Sequence, residues 1–168
     1  MKVTILIIFL TIIINFILQS TILPYIGILG VVPNTTLVVV VIISLLRGKY
    51  YGSFTGLIMG LLQDIIFSPV IGINGFIYFF VGYFIGLAEN KLSKDSVLIP
   101  ILISIVSTLF YNFAYYVFMF FLSREILFLP LIKNIVSIEV LYNSLISIGI
   151  YKIFSKILIV PSIRFGRR

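Results

Sequence analysis

From Val3 to Leu46 the chain runs 44 residues without a single Lys, Arg, Asp or Glu. A helix crosses ~30 Å of hydrocarbon with about 20 apolar residues, so this run holds two crossings. Pro24, Gly27, Gly30 and Pro33 mark the break between them, because proline removes a backbone donor and glycine frees φ. The first span is then about 3–23 and the second about 33–46. The second is short for a bilayer, which predicts a short helix or an extension past Gly48.

The remaining chain is punctuated in the same way. Arg47 and Lys49 close a turn, and further spans are expected over about 50–67, 73–88, 97–122 and 134–160, followed by a basic tail with Arg164, Arg167 and Arg168. The expectation is one all-α integral membrane domain over residues 1–168, with about six transmembrane helices. Composition agrees: 61% of residues are hydrophobic and 10% charged, against about 45–50% and about 25% in soluble domains. A soluble chain this small could not hide so much apolar surface. Lys2 and the run after it resemble the start of a signal peptide. The run is too long, however, and no small-x-small site follows, so the segment is expected to remain in the mature protein.

The basic residues orient the bundle. With six spans and both termini inside, Lys2, Arg47, Lys49, Lys91, Lys94, Lys152, Lys156, Arg164, Arg167 and Arg168 fall on the cytoplasmic side, and only Arg124 and Lys133 outside. Positive-inside bias therefore predicts N-in/C-in, and it explains the net charge of +7 without a nucleic-acid partner. Lys152 and Lys156 lie near the end of the last span, where long stems reach the headgroups.

Cysteine and histidine are absent, which removes thiolate nucleophiles, imidazole bases and the commonest metal ligands. No zinc-protease, Ser/His or phosphate-loop motif occurs, so neither a cofactor nor enzyme activity is expected. Polar residues fall instead in helical stripes: Thr4, Thr11, Asn15 and Gln19 in the first span; Ser104, Ser107, Thr108, Tyr111, Asn112 and Tyr115 in the fifth; Glu139, Asn143 and Ser147 in the sixth. Each stripe should point into the bundle or toward a partner.

The third span carries Gly52, Gly56, Gly60 and Asp64 four residues apart, on one face. Its glycines admit a close neighbour, and the fourth span offers Gly75, Gly82 and Gly86 with Asn74 and Tyr78, a glycine face that could pack directly on that of the third span. Asp64 lies about 24 Å along a helix that starts in the cytoplasm. Burying it there demands a cation, hydrogen-bond donors or protonation. It reads as a structural or partner-binding anchor, a solvated carboxylate at a helix end, or a ligand or proton site. Asp64, Glu139 and Asn143 are expected to share an outward polar pocket, with Lys133 or Arg124 as the cation.

Several of these residues form a pattern: Leu18-Gln19, Pro33-Asn34, the series Gly56-x3-Gly60-x3-Asp64-x7-Gly72, Asn143 and the basic C-terminal end. On these the chain resembles the MreD family of bacterial rod shape-determining proteins, over nearly its whole length. Richness in Ile, Phe and Tyr without tryptophan departs from the family and touches no motif. The resemblance implies a non-enzymatic adaptor in the bacterial cytoplasmic membrane. It would belong to the elongasome, which inserts peptidoglycan along the side wall, binding MreC directly alongside MreB, RodA and its paired transpeptidase. It also implies a fold similar to the substrate-binding subunits of energy-coupling-factor transporters, so a vitamin-capturing subunit is the alternative. Such subunits carry Ala-x3-Ala in span 1, whereas the alanines here are Ala88 and Ala114. Under the adaptor reading, a single partner helix would lie in a groove of spans 3 and 4, with Asp64 and the 24–33 loop meeting its outer part.

Overall fold

The computed structural model describes residues 2–27, 30–89, 92, 96–122 and 136–158. Six helices are described: α1 Lys2–Thr21, α2 Thr35–Arg47, α3 Lys49–Phe67, α4 Ile73–Leu87, α5 Leu98–Phe121 and α6 Val136–Leu158. A short 3₁₀ turn, Leu23–Ile26, follows α1. Lys91, Lys94, Arg124, Lys133 and the tail arginines lie outside the described residues.

Burial runs opposite to that of a soluble protein. Asp64 and Asn143 are 0% exposed and Asn74 2%, while Leu102 is 61%, Val106 66% and Phe113 67% exposed. Water would reverse this order; hydrocarbon produces it, because exposed apolar side chains cost nothing there and polar ones must find partners. α1, over Val3–Thr21, and α5 are each long and apolar enough to cross a bilayer unaided.

α2 is the hub. Every residue from Thr35 to Leu46 is buried, and the helix packs against α1, α3, α4, α5 and α6. A helix that is apolar all round belongs in an interior. Asn34 starts it, its Oδ1 accepting from Leu37 N at 3.0 Å. Gly48 ends it at φ +82, a left-handed conformation that suits glycine, with its N–H donating to Ser44 O at 2.9 Å. The helix therefore stops at Arg47, and the extension past Gly48 does not occur. Thirteen residues reach only about 20 Å, less than the ~30 Å of hydrocarbon. Because α2 is sheathed by its neighbours, it meets protein rather than lipid and need not match that thickness.

α3 and α4 pack backbone to backbone along a glycine seam. A methyl group placed on Gly60 would stand 2.6 Å from Gly75 Cα, and one on Gly82 would stand 2.5 Å from Gly52 C. Gly56 faces the carbonyl of Tyr78, and Gly86 faces the backbone of Lys49. These distances are too short for any Cβ, so the seam exists only because the residues are glycine. This corrects the placement of a partner helix in a groove between spans 3 and 4. The chain's own α4 fills that groove, and Gly52, Gly56 and Gly60 are buried by it.

The seam yields a direct test. Gly60→Leu should push α3 from α4 and cost about 3 kcal/mol, or about 6 °C in the unfolding midpoint of detergent-solubilised protein. Gly149, with no described neighbour within 4 Å, should accept alanine with a change of less than about 2 °C.

Candidate functional site: a buried polar cluster at one end of the bundle

Asp64 projects from the last turn of α3 toward the start of α4. Its Oδ2 accepts from Gly72 N and Gly75 N, each at 3.0 Å. Its Oδ1 accepts from Asn74 N at 3.2 Å and from Asn74 Nδ2 at 2.8 Å. The first N–H groups of a helix lack intrahelical acceptors and carry partial positive charge. The carboxylate thus supplies what the α4 N-terminus lacks, from another helix. Gly72 allows this geometry through its left-handed backbone, at φ +104, which turns the chain into α4.

Asn74 extends the cluster. Its Nδ2 also donates to Ser68 Oγ at 2.8 Å, and its Oδ1 accepts from Tyr111 OH at 2.7 Å. The Tyr111 ring stacks on Tyr78 with centroids 5.2 Å apart, tying α4 to α5. Tyr78, 0% exposed, meets Asn34 and Gln63. Asn34 Nδ2 donates to the Tyr78 hydroxyl oxygen at 2.8 Å, and the one phenol proton faces two acceptors, Asn34 Oδ1 at 3.0 Å and Gln63 Oε1 at 3.2 Å.

Asn143 of α6 closes the other side. Its Oδ1 accepts from Asn34 N at 2.9 Å, just ahead of α2. Its Nδ2 donates to Thr108 Oγ1 at 3.1 Å and, more weakly, to Glu139 Oε1 at 3.5 Å. Asn112 Nδ2 donates to Glu139 Oε2 and to Thr108 O, each at 2.9 Å. Both Glu139 oxygens therefore accept from amide side chains. On the opposite flank, Gln19 Oε1 accepts from Thr35 Oγ1 at 2.7 Å, and Gln19 Nε2 reaches Pro33 O at 3.4 Å.

The structure thus places Gln19, Pro33, Asn34, Asp64, Gly72, Glu139 and Asn143 in one polar end of the bundle, and Gly52, Gly56 and Gly60 on the seam leading to it. The expectation of a single pocket shared by Asp64, Glu139 and Asn143 is corrected. Asp64 is enclosed by the α4 N-terminus, Glu139 sits with Asn112 and Asn143, and Asn74, Tyr111, Tyr78 and Asn34 lie between them. Among the described residues, hydrogen-bond donors surround Asp64; Arg124 and Lys133 lie outside them. Gln63 and the linking roles of Asn74 and Tyr78 were missed by sequence reasoning. Asn74 had a usable signal: an amide two residues after a turn glycine, where a helix begins.

Chemically, among the described residues the cluster pairs the oxygens of both acids with amide and backbone donors. Among the described residues there is no group of three or more His, Cys, Asp or Glu able to hold a metal. Asp64→Leu should strand the donors of Gly72, Asn74 and Gly75 and cost about 3 kcal/mol in detergent unfolding, with Asp64→Asn losing about half as much. Equal losses for the two would contradict the donor assignment.

The chain matches the family profile of MreD, the rod shape-determining protein MreD, over residues 1–160. No match was found among curated proteins or solved structures. With a profile match over nearly its full length, and polar groups turned inward from an apolar exterior, the chain belongs to the MreD family of rod shape-determining proteins, non-catalytic multi-pass proteins of the bacterial inner membrane.

Proposed function

We propose that this chain is a membrane adaptor of the elongasome that binds MreC directly and so supports side-wall peptidoglycan synthesis with MreB, RodA and its paired transpeptidase. In this reading all six helices form one domain that crosses the bilayer with both termini in the cytoplasm, arranged much as in the substrate-binding subunits of energy-coupling-factor transporters. Family membership supplies the elongasome setting. The observation that carries the adaptor role is the hydrogen-bonding of the polar cluster: Asn74 with Asp64 ties α4 to α3, Asn34 with Asn143 and Glu139 ties the entry of α2 to α6, and Tyr111 and Tyr78 stand between the two sets. Groups committed in this way rigidify a bundle; they do not turn over a substrate.

Orientation has support from packing. Leu158 clusters with Ile42 and Leu46, and Gly86 lies against Lys49. Arg47, Lys49, Lys152 and Lys156 therefore gather toward the end opposite Asp64, as a cytoplasmic face requires. On this reading Gln19, Pro33, Asn34, Asp64, Gly72, Glu139 and Asn143 hold the outer end in the shape a partner recognises, and Gly52, Gly56 and Gly60 set the α3–α4 spacing beneath it.

The test is depletion in a rod-shaped cell, with recovery of MreC from solubilised membranes. Rods should become round, and tagged protein should bring down MreC in near-stoichiometric amount. Retained rod shape with failed vitamin uptake would transfer the chain to the transporter class.

A further inference from the structure

Lys152 and Lys156 stand one turn apart on α6, and both are exposed. Leu145 and Gly149 continue the same face toward the outer end of the helix, and both are exposed as well. At 3.6 residues per turn the four positions fall within an arc of about 60°. They form one stripe, apolar along its length and cationic at its cytoplasmic end. Gly149 opens the stripe: no described atom lies within 4 Å of where its Cβ would stand, whereas the glycines of the α3–α4 seam meet backbone.

Like charges one turn apart repel, and the described acids lie elsewhere. Glu139 is about 20 Å back along α6 from Lys152, Asp64 caps α4 at that far end, and Glu89 stands over Gly48, where Gly86 of α4 also approaches. The lysines therefore call for an anion from outside the chain, and depth says which. With 23 residues α6 is about 34 Å long, slightly more than the ~30 Å of hydrocarbon, which puts Leu158 near the headgroup boundary. Lys156 lies about 3 Å and Lys152 about 9 Å before it, within reach of a lysine stem. A phospholipid carries its phosphate at that boundary, while a free phosphate ion would have to leave water to arrive there.

The apolar part of the stripe favours the same ligand. A protein helix laid over it would bury two ammonium groups, at a cost that only paired charges offset. A phospholipid brings a phosphate for the lysines and a chain for Leu145 and the open strip at Gly149. In a zwitterionic headgroup the lipid's own amine competes for the phosphate, so a net anionic headgroup matches the lysines better.

We propose that the exposed face of α6 binds an anionic phospholipid of the cytoplasmic leaflet, its phosphate between Lys152 and Lys156 and an acyl chain along Gly149 and Leu145. The site goes beyond the adaptor reading and shares with it only the crossing of α6 toward the cytoplasm.

The test uses the full chain in nanodiscs of equal parts phosphatidylglycerol and phosphatidylethanolamine, released for native mass spectrometry. The wild type should retain phosphatidylglycerol in preference to phosphatidylethanolamine. Lys152→Gln and Lys156→Gln should each lower that retention about fivefold. Lys49→Gln, which removes a charge held over the Tyr50 and Tyr83 rings, should leave it unchanged, and arginine at both 152 and 156 should keep the lipid. Equal retention of the two lipids, undiminished retention with glutamine at both positions, or displacement of the lipid by inorganic phosphate would overturn the site. Loss of MreC rather than lipid from the double glutamine variant would assign the stripe to a protein and overturn it too. Labelling of Ser155→Cys by an impermeant maleimide outside intact cells would instead overturn the crossing of α6 on which the site rests.

Discussion

An ionisable side chain in hydrocarbon must be met by the protein itself, and the rest of this structure follows from how Asp64 is met. Its two oxygens take backbone N–H groups from Gly72, Asn74 and Gly75 and the Asn74 amide. The same bonds provide acceptors for an otherwise exposed helix start, so one contact resolves two burial problems. It also fixes the position of α4 against α3, which is possible only because the glycine seam lets the two backbones approach. Carboxylate and glycines are parts of one device.

From that device a chain of polar contacts runs across the bundle. Asn74 receives Tyr111, Tyr111 stacks on Tyr78, Tyr78 meets Asn34, and Asn34 meets Asn143, which lies beside Glu139. Together the links join α4 to α5, α4 to the entry of α2, and that entry to α6. Membrane hydrogen bonds contribute only ~0.6–2 kcal/mol each, too little to hold a bundle singly. They select one packing among many that apolar surfaces would allow. α2 shows the outcome: a helix too short to cross alone is kept at a defined depth by a polar collar at its start.

Much of this was legible in the sequence because lipid imposes simple rules. The uncharged run to Leu46, the four-residue spacing of Gly52, Gly56, Gly60 and Asp64, and the stripes containing Asn15, Thr108 and Asn143 show which faces turn inward. What they do not show is which inward face meets which. Asp64 and Glu139 seem equivalent when judged by depth alone, yet one caps α4 and the other sits with amides from α5 and α6. A carboxylate eight residues from a turn glycine gives no hint that the intervening loop folds back onto it. Gln63, next to Asp64 in sequence, points to neither stripe, and its neighbours Tyr78 and Asn15 come from distant helices. The glycine face of α3 reads as a packing face with that of α4 as its candidate partner; which glycine meets which, Gly60 against Gly75 and Gly82 against Gly52, depends on a register that only three dimensions supply.

The central claim is that the buried acid serves as a structural acceptor for the start of α4. Hydrogen–deuterium exchange of the purified protein, comparing the wild type with Asp64→Ala, tests it most directly. The account predicts strong protection across residues 72–75 in the wild type and its selective loss in the variant, with α2 still protected. Undiminished protection of that turn in the variant would contradict it.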